Sequence, residues 1–119
     1  MIGTGAFWNN NITEIEIPDS VRVIDDIAFW DNKLIAVEIP SSVEEIGGAV
    51  FAENNISKIV MPSDVNLSLY LQDDDDLMGE GSRFKDYYNQ QDKKAGTYLL
   101  RGDDWGLQQD KIEQNNLNF

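Results

Sequence analysis

With 119 residues, the chain has room for one small domain or for a short repeat array with a terminal cap. It contains no cysteine and no histidine, which excludes disulfides, thiolate zinc sites and any Ser-His-Asp or Cys-His arrangement. The net charge of −13, from 22 acidic and 9 basic residues, disfavours nucleic acid and anionic lipid as partners. The same charge attracts basic proteins or divalent cations, or simply keeps an exposed β-surface soluble. Carboxylate-only catalysis remains chemically open and would need a formed cleft.

The chain opens with Met1-Ile2-Gly3-Thr4-Gly5, which lacks a basic region followed by an apolar one, so no signal peptide is expected. No apolar run approaches the ~20 residues of a membrane span. From Ile2 onward the sequence repeats with a step of 22 residues. Ile2, Ile24 and Ile46 form one column; Phe7, Phe29 and Phe51 another; Pro18, Pro40 and Pro62 a third. Asn10, Asn32 and Asn54 add a polar column, and Ile15, Val37 and Ile59 an apolar one.

Each copy has one physical reading. Ile12 to Ile17 alternates apolar and polar residues at its end, the pattern of a half-buried strand, and Pro18 stops it by removing a ladder donor. A turn follows at Asp19-Ser20, and at Ser41-Ser42 and Ser63-Asp64 in the later copies. Val21 and Ile24 re-enter the core, a second turn comes at Asp25-Asp26 or Gly47-Gly48, and the phenylalanine then packs inward. One copy cannot bury its apolar side alone. Stacking converts the columns into inner ladders, pairs successive strands in parallel, and leaves the asparagines to bond backbone of adjacent copies.

After the repeats, which span 1–65, an acidic linker loop is expected over 66–82. It carries Asp73-Asp74-Asp75-Asp76, which offers oxygen ligands suited to calcium but lacks the glycine and glutamate spacing of an EF-hand loop. A solvated, self-repelling loop is the simpler reading. A cap follows over 83–105. Arg83 to Gln91 reads as a short helix with Phe84, Tyr87 and Tyr88 on one face. Thr97 to Arg101 reads as a strand, turned at Gly102-Asp103-Asp104, with Trp105 returning to the core. The segment 106–119 is a polar tail, either frayed or loosely helical.

Two runs carry a family resemblance: Ile2-Gly3-Thr4-Gly5-Ala6-Phe7 and Ile46-Gly47-Gly48-Ala49-Val50-Phe51, each followed by Asn and then Leu/Ile-x-x-Val/Ile-x-Ile/Met-Pro, the later run ordering Ala49-Val50-Phe51 rather than x-Ala-Phe. They resemble the BspA-type leucine-rich repeats of bacterial surface proteins, over residues 2 to about 65. The middle copy departs with Asp25 in place of glycine. Phe84-Lys85-Asp86-Tyr87-Tyr88-Asn89, Lys93-Lys94-Ala95-Gly96-Thr97-Tyr98 and Trp105 are similar to a short C-terminal module that follows such repeats. The resemblance implies a β-rich leucine-rich-repeat solenoid, a right-handed coil of parallel strands with a small mixed α/β C-terminal cap. It also implies a non-catalytic, adhesin-like module without a cofactor, at the cell surface or secreted, that contacts host matrix or cell-surface proteins.

The expected partner surface is the outward strand face: Glu14 and Glu16, Ile35, Ala36 and Glu38, Lys58 and Val60. Three strands offer a small area, so tight binding would need a longer array or several copies. Trp8 and Trp30 share a column in which the third copy has Ala52. They shield the edge of the stack or, as a second functional reading, hold a sugar. Gly3, Gly5, Gly47 and Gly48 are turn residues and not a phosphate cradle, because no lysine-bearing helix follows them. No metal site and no enzyme activity are expected. The first copy begins inside its own motif, so either further repeats precede it or it stacks on another chain, and the second alternative predicts a homodimer through residues 1 to 30.

Overall fold

The computed structural model describes residues 1–67, 78 and 83–108. The Asp73–Asp76 run and most of the tail lie outside them. Two sheets run side by side. The first joins β1 (Val23–Ile24), β3 (Glu45–Ile46) and β5 (Asn66–Leu67), all parallel. The second joins β2 (Ala36–Glu38), β4 (Lys58–Met61), β6 (Gly96–Arg101) and β7 (Asp104–Leu107). Its first pair is parallel and its last two pairs are antiparallel, so the cap makes this sheet a mixed one.

The 22-residue step becomes backbone register. Val23 pairs with Glu45, and Ala36, Val37 and Glu38 pair with Lys58, Ile59 and Val60. At the last step the register shortens by one residue, with Ile46 opposite Leu67. Between the strands, the N–H groups of Gly5, Phe7 and Asn9 donate to the carbonyls of Asp26, Ala28 and Trp30. Those of Ile27, Phe29 and Asp31 donate to Gly48, Val50 and Ala52 in the same way. Even the backbone strain repeats. Gly5, Ile27 and Ala49 have φ of 63°, 51° and 53°, and Asn9, Asp31 and Glu53 have 56°, 61° and 57°. Only glycine and, less freely, asparagine or aspartate suit that left-handed region, so Ile27 is held there by the packing of its neighbours.

Side-chain columns fill the interior. Phe7 stacks on Phe29 at 5.2 Å between ring centroids, and Phe29 on Phe51 at 5.8 Å. Burial is graded along the stack, because the first copy is covered on one side only. Phe29 and Phe51 are buried, whereas Phe7 remains 43% exposed and does not pack inward as its column predicts. The asparagines form a ladder. The Asn32 amide donates to the Phe7 and Phe29 carbonyls at 2.9 and 3.0 Å, and its oxygen accepts from Ile12 N–H at 3.1 Å. Asn54 repeats this toward Phe29, Phe51 and Leu34. Backbone that has no sheet partner thereby finds one.

The strand expected at Ile12–Ile17 does not form. Lys33 N–H reaches the Ile12 carbonyl, but residues 13–17 make no ladder with β2. In the 22-residue register Glu16 would lie beside Glu38, and like charges side by side on a ladder oppose pairing. By contrast β2 and β4 place Glu38 beside Val60 and Ala36 beside Lys58.

The cap closes the other end. Its helix α1 (Phe84–Gln90) buries Phe84 and Tyr88, and the half-buried Tyr87 lies on the same side. Phe84 meets Trp105 and Tyr98 edge-on at 4.9 and 5.4 Å. Tyr88 is the rivet to the repeats: its hydroxyl donates to the Pro62 carbonyl at 2.6 Å and accepts from Val65 N–H at 3.2 Å. Burial raises the Tyr88 phenol above its ordinary value, offset in part by the Val65 bond, and burial likewise raises Tyr98. Strand β6 pairs with β4, and Leu100 N–H reaches the Ser57 carbonyl at 2.8 Å. The hairpin to β7 turns at Gly102-Asp103, where Gly102 takes φ of 63°.

Candidate interaction surface

Pairing in the second sheet decides which expected residues share a surface. Val37, Ile59 and Tyr98 are buried under the sheet, so their strand neighbours point the other way. One row across the outer face runs Ala36, Lys58, Leu99 and Gly106, and the next runs Glu38, Val60 and Thr97. Ala36, Glu38 and Lys58 are exposed and Val60 is half-buried. Ile35 stands at the entry to β2 with 63% of its surface exposed, and its carbonyl accepts from Ser57 N–H. Ala36, Val60 and Leu99 give the face an apolar strip with Lys58 within it, and the exposed Ile35 precedes that strip at the entry to β2.

Glu14 and Glu16 are exposed but lie on the segment that forms no strand. They flank the face without being fixed by it. Sequence reasoning missed Thr97, Leu99 and Gly106. The alternation in Thr97–Arg101 was visible, but which strand it joins is a long-range matter that no local pattern carries. The ion pair of Arg22 with Glu44 at 3.9 Å is solvent-exposed and sits just before β1 and β3, away from this face, so it contributes little.

Trp8 stacks on Trp30 at 5.7 Å, and Trp8 keeps half of its surface exposed. Among the described residues there is no group of three or more acidic side chains able to hold a metal ion, and no helix long and apolar enough to cross a membrane.

The repeat that this geometry displays has a known type. The family model described as a BspA type leucine rich repeat region (6 copies) matches residues 1–70. The chain belongs to the BspA-type leucine-rich repeat family. No curated protein and no solved structure matches it. As a BspA-type protein it carries a repeat fold of a kind that serves as a protein-interaction module, and the match runs through β5 and stops short of the cap.

Proposed function

We propose that the outer face of the second sheet is a protein-binding surface and that the chain acts as a non-catalytic, adhesin-like interaction module. The observation that carries this reading is the exposed Ile35 at the entry to a regular sheet whose outer face holds the exposed Ala36 and the half-buried Val60, bordered by Glu38 and Lys58. Large apolar side chains left in water on a regular surface mark interaction sites. With a net charge of −13, the favoured partner is a basic protein, such as a matrix or cell-surface protein met outside the cell. Surface plasmon resonance against a panel of extracellular-matrix proteins tests the reading. Lys at Glu14, Glu16 and Glu38 together should slow association, and Ile35→Ser should speed dissociation. Undiminished binding by both variants would exclude this face.

The stacked copies are read as turns of a right-handed solenoid, supported by the parallel registers and the phenylalanine and asparagine columns. The exposure of Phe7 and Trp8 supports pairing of two chains through residues 1 to 30. A monomeric mass by light scattering at micromolar concentration would rule that pairing out. A second reading, sugar binding at Trp8 and Trp30, is favoured by the half-exposed ring of Trp8, and a glycan array separates it from the first.

A further inference from the structure

A cavity of about 560 Å³ opens between the third copy and the cap, and neither Trp8 nor Trp30 lines it. Its volume lies within the range of small-ligand pockets, about 300–1,000 Å³. Phe51 and Ile56 of the repeats and Leu100 of β6 give it an apolar floor. Trp105 lines it as well, 91% buried, and its indole N–H is the one buried side-chain group among the described residues that has no hydrogen-bond partner. Buried indole N–H groups nearly always find an acceptor, so one that lacks it beside a cavity points to a group supplied from outside. The mouth is formed by Arg83 and by Asp103 and Asp104 of the β6–β7 hairpin. Arg83 makes no ion pair among the described residues. Asn54 also lines the cavity, but its amide is already committed to the carbonyls of Phe29, Phe51 and Ala52.

This lining selects among ligand classes. An anion would accept from Trp105 and Arg83, but it would face two carboxylates and the negative field of the whole chain. A cation would suit the carboxylates and leave the indole N–H unanswered. A neutral molecule with several hydroxyls answers both. Each hydroxyl accepts from the indole or guanidinium and donates to Asp103 or Asp104, while the C–H faces of its ring lie on the apolar floor. We propose that this cavity binds a neutral saccharide, with the Trp105 indole N–H donating to one of its oxygens. The site is separate from the Trp8–Trp30 platform and independent of the strand-face reading.

The test uses the full chain carrying Trp8→Phe and Trp30→Phe, which leaves Trp105 as its one tryptophan. Glucose, galactose, N-acetylglucosamine, maltose and cellobiose are titrated to millimolar concentration, with sodium acetate as the anionic control. The readouts are indole fluorescence and the Trp105 Nε1–H resonance. At least one sugar should saturate and move that resonance downfield, and acetate should not. Trp105→Phe, which keeps a ring but removes the donor and both indole signals, should weaken binding about tenfold as read by titration calorimetry. Asp104→Ala at the exposed rim should weaken it as well, and provides the test if Trp105→Phe fails to fold. An unmoved indole resonance with every sugar overturns the proposal. So does saturation by acetate alone, or sugar binding that survives both Trp105→Phe and Asp104→Ala. Matrix-protein binding by these variants is expected to be unchanged, so failure here leaves the strand-face reading standing.

Discussion

Replacing Asn32 by alanine probes the ladder that joins the copies where no sheet does. Asn32 is 6% exposed and makes three hydrogen bonds, two from its amide and one to its oxygen. They are not equal losses. The Phe7 carbonyl also accepts from Asn10, and the Phe29 carbonyl also accepts from Asn54, so each keeps a partner. Ile12 N–H loses the one acceptor it has, and its residue is already half-buried. An orphaned buried N–H costs about 1–3 kcal/mol, and the two shared bonds add ~0.5–1 kcal/mol each, so Asn32→Ala should destabilise by about 2–5 kcal/mol. The exposed Asn10 donates only within its own copy, and Asn10→Ala should stay within ~0.5 kcal/mol. Urea unfolding followed by circular dichroism measures both, and amide exchange at Ile12 reports the orphan directly. Equal losses for Asn10→Ala and Asn32→Ala would refute the claim that inter-copy bonds hold the stack.

A Cβ at Gly47 would collide with Asp26 Oδ1 and sit 2.7 Å from Asp26 N, so Gly47→Ala must push two copies apart and should cost about 1–3 kcal/mol in the same unfolding assay. Glu53 is exposed at φ of 57°; Glu53→Gly should stabilise by roughly 0.5–1 kcal/mol through relief of left-handed strain, while Glu53→Ala should not. Tyr88→Phe removes the hydroxyl that bridges Pro62 and Val65, and should cost ~1–3 kcal/mol and loosen the cap, read as faster amide exchange in α1 and β6. Because burial raises the Tyr88 and Tyr98 phenols above their unfolded value of 10.0, the stability they confer is complete below pH 10 and falls as pH climbs through their raised values. Alkaline unfolding of the parent chain should therefore begin above pH 10, and the Tyr98→Phe variant should show a shallower decline.

Features that recur with the 22-residue step were legible because the structure uses them in register. The phenylalanine stack, the asparagine ladder and the β2–β4 pairing each follow from equivalent residues lying over one another. Helix α1 was legible for a local reason, since Phe84, Tyr87 and Tyr88 share one face at any helical spacing. What sequence concealed was of two kinds. One is competition: the Ile12–Ile17 alternation looks like that of its sister copies, and only the register reveals Glu16 beside Glu38. The other is distance. The pairing of β6 with β4 extends the expected face to Thr97 and Leu99, and it buries Trp105 beside a cavity whose walls come from residues about fifty positions apart. The proposed face was therefore half visible in the sequence: its repeat half through Ile35, Ala36, Glu38, Lys58 and Val60, its cap half not at all.

The two ends of the stack differ, and that difference orders stability along the chain. At the cap end Phe51 is 1% exposed, β4 is paired on both sides and Tyr88 fastens the last turn. At the other end Phe7 and Trp8 are exposed and the segment 13–17 has no ladder. In a quasi-one-dimensional array each copy draws its stability from its neighbours, so a copy with one neighbour opens before a copy with two. Amide protection should rise from the first copy to the third, and the same substitution should cost more in the second copy than in the first. Glu14 and Glu16 therefore sit on the part that opens most readily, while Ala36, Glu38, Lys58 and Val60 sit on the part held by the cap. A partner that recruits both sets must order the first copy as it binds, and that ordering cost makes Ile35 and the β2–β4 strip, rather than the flanking glutamates, the part of the face that sets how long a complex lasts.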